Sequence, residues 1–215
     1  MRLLEDAYDD DPGASEALLR RVAAREEPAT ARLYRPRPTV AFGRLDTLRD
    51  GLAAAERAAR EHGFAPVVRS VGGRAAAYTD HAVVYEELTP HDGLAVGLED
   101  RFVSFAGRLA EALRSLGADA RVGEVPGEYC PGRFTVNAGG RLKLAGVAQR
   151  VISGAALVSA AVVVGDGERV RDVLVAVYAA LRIDWDPATA GALEDVVPGV
   201  TVSDVIAALR SMPSS

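Results

Sequence analysis

The tightest constraint on the fold lies in residues 134–164, where three strand-like runs follow one another. Residues 134–137 and 142–151 flank Ala138-Gly139-Gly140, and paired glycines supply the positive φ that a tight hairpin turn needs. Residues 155–164, ALVSAAVVVG, are apolar almost throughout, as expected of a strand covered on both faces. The three runs predict a hairpin followed by a central strand.

Elsewhere, strand signals come in groups between helices. Residues 31–44 predict two strands about a Pro-rich turn. A β-type run from Ala65 to Val71 meets Gly72-Gly73 and then two more short apolar runs. Asp11-Pro12 predicts the start of a helix over 13–26. Thr47 opens a capping-box-like Thr-Leu-Arg-Asp, and the Ala-rich helix after it ends at His62-Gly63. Phe102, Phe105, Leu109, Leu113 and Leu116 recur at helical spacing and predict a core stripe in a helix over 98–117. A further helix is expected over 168–182, a short one from Asp186-Pro187, and a last one from Thr201 or Ser203. The expected fold class is therefore α+β, with a mixed, mostly antiparallel sheet and flanking helices. Regular βαβ alternation is absent, which argues against a Rossmann fold. No linker divides the chain, so residues 1–215 are expected to form one domain.

Composition narrows the function. The chain is 49% hydrophobic and 26% charged, enough to build a core. Its net charge of −5 argues against a dedicated nucleic-acid binder. No apolar run reaches the length of a membrane span, and the first residues carry no signal-peptide core. One cysteine allows no internal disulfide, and His62, His81 and His91 are scattered, with no metal-ligand spacing. A soluble cytoplasmic protein without metal, nucleic-acid or membrane partners is expected.

Two residues stand apart chemically. Of 25 basic residues, Lys143 is the sole lysine, so arginine serves wherever a charge alone suffices. A lysine offers a compact, rotatable ammonium that arginine cannot imitate, and Lys143 lies inside the apolar LKLAGVA. The sole cysteine, Cys130, lies thirteen residues earlier, in the loop Tyr-Cys-Pro-Gly. A thiolate there would be a nucleophile, favoured by a nearby cation for which Lys143 and Arg133 are candidates. With Arg69 and Arg74 flanking it, the Gly72-Gly73 loop could bind a carboxylate or phosphate through backbone N–H groups and guanidinium forks. If Lys143 faces Thr135, a straight strand would leave Cys130 roughly 16 Å away, so Pro131-Gly132 must fold the cysteine back.

The segments PTVAFGR at 38–44, VRSVGGRAAAY at 68–78 and KLAGVAQR at 143–150, in that order, resemble the biotin/lipoate protein ligase and octanoyltransferase superfamily. The resemblance covers about residues 30–165 as the motif-bearing core, with C-terminal helices over 168–211. It implies a fold like class II aminoacyl-tRNA synthetases and biotin ligases. It further implies attachment of lipoate or octanoate to a lysine of a lipoyl-carrier protein, either the glycine cleavage H protein or a 2-oxoacid dehydrogenase lipoyl domain. Arg69, Gly72, Gly73, Arg74 and Ala75 match the family's acyl-pocket loop. Lys143 matches its catalytic lysine, with Gly146 and Ala148 as small neighbours lining the acyl site. Two departures stand out. Tyr78-Thr79 replaces the usual His-Asp, and Gly132-Arg133 is followed by Phe134-Thr135 rather than the Asn-Asp of ATP-using ligases. GEYCPG at 127–132 is similar instead to the amidotransferase branch, where a cysteine in this loop carries the acyl group as a thioester.

The leading expectation is thus a cofactor-free octanoyl or lipoyl transferase acting through Cys130. The alternative is a lipoate–protein ligase using ATP and Mg, with Lys143 on lipoyl-AMP and Cys130 incidental. A non-catalytic binder of acyl groups or lipoyl domains is the third.

Overall fold

The computed structural model describes residues 1–9, 13–91 and 97–213. In chain order the elements are β1 (Arg2–Asp9), α1 (Ala14–Ala23), β2 (Thr30–Pro36), β3 (Thr39–Phe42), α2 (Leu52–Glu61), β4 (Ala65–Val68) and β5 (Ala76–Tyr78). Then follow β6 (Ala82–His91), α3 (Leu98–Ser115), β7 (Ala120–Val122), β8 (Val136–Ala138), β9 (Leu142–Ile152), β10 (Gly154–Val163) and α4 (Gly167–Leu181). Two single 3-10 turns, Pro187–Thr189 and Leu193–Asp195, lead to α5 (Val202–Arg210).

Seven strands form one sheet in the order β1-β2-β6-β10-β9-β8-β7, and β4-β3-β5 form a smaller one. Only the β1–β2 and β3–β4 pairs are parallel. The apolar run at 155–164 takes the middle place as β10 and is covered on both faces. Val158, Ala160 and Val162 pack under α3 and α5 against Phe105, Leu109 and Leu209. On the other face, Ala155 and Leu157 meet Leu18, Leu19 and Val22 of α1. Val163 joins the core that α2 and α4 share with the small sheet. A strand with apolar partners on both sides has no reason to alternate polar residues.

Four expectations need correction or qualification. The strand β1 was not foreseen, because it carries three acidic residues in RLLEDAYD and finds its place at the sheet edge by pairing with β2. The Asp11-Pro12 helix start lies outside the described residues. Thr47 does not start α2, whose N-cap is Gly51 without a side-chain cap. The buried Asp46 carboxylate accepts from the Gly43 N–H (2.9 Å) and pairs with Arg74 (3.3 Å), which holds this stretch in turns. Finally, the run expected from Ala65 to Val71 is a strand only to Val68, and β4 and β5 on either side of Gly72-Gly73 both pair with β3 and not with each other.

Candidate active site

The site begins with an irregularity in β9. Asn137 pairs with Lys143 and Val136 with Ala145, so one step on β8 spans two on β9. Such a bulge breaks the strict alternation of faces. Leu144 and Ala145 therefore both enter the core under α3. Lys143 and Gly146 both line a cavity on the opposite face. The partner of Lys143 is Asn137 and not the expected Thr135, because Ala138 belongs to β8 and pairs with Leu142, so the turn is 139–141.

Lys143 is 2% exposed. Its Nζ lies 2.8 Å from a Glu128 carboxylate oxygen and donates to the carbonyls of Tyr129 (2.9 Å) and Cys130 (2.7 Å). An ammonium has three protons, and three acceptors take them. Glu128 also accepts from the Thr135 hydroxyl (2.9 Å) and from the N–H groups of Val125 (3.2 Å) and Gly132 (3.3 Å). A buried ion pair survives desolvation when its remaining hydrogen-bonding capacity is filled in this way. Glu128 was missed in the sequence. The available signal was that a lysine inside an apolar strand needs a counter-charge, and Glu128 is the acidic residue of GEYCPG.

The fold-back required of Cys130 is present, and Lys143 holds it. Cys130 has φ +43, a left-handed conformation uncommon for a non-glycine residue. Its carbonyl is held by Lys143, and its N–H donates to the Tyr178 hydroxyl at 2.8 Å. That hydroxyl in turn donates to the Ala75 carbonyl at 2.9 Å. The sulfur accepts from the Arg74 backbone N–H (3.1 Å) and from Arg69 Nη2 (3.3 Å). Gly73, at φ +105, makes this approach possible, because a Cβ there would sit 2.8 Å from the sulfur.

The cation beside the thiol is therefore Arg69, not Lys143 or Arg133. Arg133 is exposed and pairs with Glu99 at 2.8 Å. Burial opposes the Arg69 charge, but Tyr78 and Cys130 beside it hold its pKa above the usual arginine value. Its Nε is buried without a hydrogen-bond partner among the described residues. Burial pushes the phenols of Tyr78, Tyr129 and Tyr178 up, so all three stay neutral around the thiol.

The sulfur faces a cavity of about 300 Å³ that Gly72, Gly73 and Lys143 also line. A second cavity, about 170 Å³, shares Arg69, Tyr78, Gly146, Ala148 and Ala161 with the first. Gly146 lies against the lysine, where a Cβ would come into ordinary contact with Lys143 Cε at 3.5 Å. Two expected lining residues fall elsewhere. Ala75 is fully buried in the core beneath the loop and lines neither cavity, and the Arg74 side chain turns to Asp46. Phe102, expected as core, stacks on Phe134 at 4.8 Å and closes one side of the first cavity. The neighbours Asp80 and His81 meet Asp166, distant in sequence, near the surface outside both cavities.

Residues 12–211 match the lipoyl protein ligase A/B catalytic domain, and the chain belongs to that family. It is 29% identical over 188 residues to an octanoyl-[GcvH]:protein N-octanoyltransferase of Geobacillus kaustophilus, covering 87% of this chain and 66% of the relative. The enzyme of the same name from Bacillus velezensis is 26% identical over 193 residues, with the same coverage. The chain thus spans just under two thirds of the length of these relatives. Among solved structures, lipoate-protein ligase A bound with ATP superposes with a TM-score of 0.68 at 22% identity, covering 97% of this chain and 81% of that one. The bi-partite lipoate protein ligase of Thermoplasma acidophilum gives 0.66 at 21%, covering 97% and 80%. At these identities the likeness establishes the fold.

Proposed function

We propose that this chain is the catalytic domain of an octanoyl or lipoyl transferase that works through a Cys130 thioester. The donor is the acylated glycine cleavage H protein, and the acceptor is a lysine of a lipoyl domain, as in 2-oxoacid dehydrogenases. One observation carries this reading: the sole thiol lies at the mouth of an acyl-sized cavity with a guanidinium and a backbone N–H directed at its sulfur. The sulfur, as the thiolate, attacks the acyl carbonyl carbon. The C–S bond forms, the C–N bond to the donor lysine breaks, and the departing amine takes the proton. The neutral acceptor lysine then attacks the thioester, its C–N bond forms, the C–S bond breaks, and the proton lost by the amine returns to the sulfur, which restores the thiol. Splitting the transfer in two lowers the barrier of each half. The unpartnered Arg69 Nε–H is a donor available to the developing oxyanion. The bond broken and the bond made are both lysine amides, so the exchange is nearly isoenergetic and needs no ATP.

The donor set also weighs against the ATP- and Mg-dependent alternative. That reading places the Lys143 ammonium on lipoyl-AMP, yet all three of its protons are engaged by Glu128 and two carbonyls. Lys143 is better suited to positioning, as the fastener that holds Cys130 in its left-handed conformation. The test is Cys130→Ser, assayed by gel shift of a lipoyl domain. The expected result is loss of transfer from octanoyl-H protein with the fold intact. Normal lipoylation by this variant with ATP and lipoate would establish the ligase instead.

A further inference from the structure

The floor of the two cavities is a grid of side chains across four strands. One row runs Gly146 (β9), Ala161 (β10), Val84 (β6), Tyr34 (β2), and the next runs Ala148, Ser159, Glu86, Arg32. Gly146, Ala148 and Ala161 are small and lie at the Cys130 end, where both cavities meet. Two strands further across stands Glu86, 4% exposed, in the wall of the second cavity. Its carboxylate accepts from Ser15 Oγ (2.7 Å), from Ser159 Oγ (3.4 Å) and from the Tyr34 hydroxyl (3.4 Å). The Arg32 guanidinium donates to the same Ser15 hydroxyl at 3.1 Å. A buried carboxylate on a sheet face is expensive to desolvate, and this one is kept there by a set of hydroxyl donors. The thioester chemistry does not use it.

Its place across the floor gives it a use. Adjacent strands lie ~4.8 Å apart, so the two spacings from Gly146 and Ala148 on β9 to Glu86 on β6 span roughly 10 Å, about the length of an extended octanoyl chain. A chain starting on Cys130 and running over Gly146, Ala148 and Ala161 would end against Ser159 and Glu86. We propose that Glu86, braced by Ser15 and Tyr34, sets the length of the acyl chain this protein accepts and stops it at octanoyl. This inference rests on the transferase reading for its substrate class. Each further methylene normally gains roughly fourfold in affinity when it leaves water for an apolar site. Here the next methylene would press on a hydrogen-bonded carboxylate, and that gain is lost.

Two readouts on the full-length protein separate this inference from the transferase reading. The first is calorimetric binding of free hexanoic, octanoic, decanoic and dodecanoic acids, which requires no chemistry. The second is Cys130 thioester loading from H protein carrying the same acyl groups, read by intact mass. Wild type should prefer octanoyl over decanoyl by roughly tenfold or more in both. Glu86→Ala should shift the optimum to decanoyl or longer, whereas Glu86→Gln, still polar and of the same shape, should keep it at octanoyl. Ser159→Leu, which fills the floor one strand nearer the thiol, should shorten the optimum to hexanoyl and keeps the test open if Glu86→Ala fails to fold. A length profile unmoved by Glu86→Ala or Ser159→Leu, or a wild type indifferent to length, overturns the inference. Length-selective binding that responds to these substitutions without any thioester would retain it and sink the transferase reading.

Discussion

Removing the Lys143 ammonium would leave the Glu128 carboxylate and the carbonyls of Tyr129 and Cys130 inside the protein without their donor. Breaking a buried pair from one side costs about 3–5 kcal/mol. Lys143→Met should therefore lower stability by that order in urea unfolding. Lys143→Met combined with Glu128→Gln should recover part of the loss, because no buried charge is then stranded, yet should remain inactive. Full additivity of the two single changes would contradict the coupling. The sequence made Lys143 and Cys130 legible, because each is the sole residue of its kind. It did not make their partners legible. Arg69 is one of 24 arginines, obtained by taking the sole lysine from 25 basic residues. Glu128 left only the general signal that a buried lysine needs a counter-charge, and Tyr178 becomes visible only when the loop and α4 are brought together, through its hydroxyl on the Cys130 N–H.

Among the elements, those whose signals are local were readable. α5 begins at Thr201, whose hydroxyl accepts from the Asp204 N–H in a reciprocal capping box. α3 and α4 follow their apolar periodicity, and β10 its apolar run. Elements set by distant contacts were not. The turns at 43–50 depend on Asp46, which reaches Gly43 locally and Arg74 on the next loop. The bulge in β9 shows only as a mismatch of register with β8. Asp46 is thus the link between the β3 end and the loop that gives its backbone N–H to the thiol. Asp46→Ala would leave the Gly43 N–H and Arg74 without their acceptor, at a cost of about 1–3 kcal/mol. It should slow alkylation of Cys130 by iodoacetamide as the Arg74 N–H loosens from the sulfur. An alkylation rate equal to wild type would mean that this loop holds its shape without Asp46.

For the whole molecule, the order of strands does what no local pattern could. β9, β10 and β6 lie side by side, so residues from 84 to 161 form one floor, and the loops bearing Arg69 and Cys130 close over it. The α+β class and mostly antiparallel pairing were legible because strand runs are grouped, whereas the division into two sheets was not. The buried phenols give a global check. Tyr78, Tyr85, Tyr129 and Tyr178 all have pKa values raised by burial. Groups with raised folded pKa contribute stability that is complete below the unfolded value, ~10 for tyrosine, and is lost as pH rises through the folded values. Tyrosinate absorbance from these four should thus appear only with alkaline unfolding. A titration in which all six tyrosines ionise near pH ~10 in the folded protein would contradict their burial.

The central claim is that Cys130 carries the acyl group, and intact mass spectrometry tests it most directly. The full-length protein is incubated with octanoyl-H protein without ATP, quenched in acid, and weighed before and after hydroxylamine. A single octanoyl adduct on Cys130 that hydroxylamine removes is the result this account predicts. Transfer of octanoyl to a lipoyl domain at full rate, with no thioester formed at any time and no loss of rate in Cys130→Ser, would contradict it.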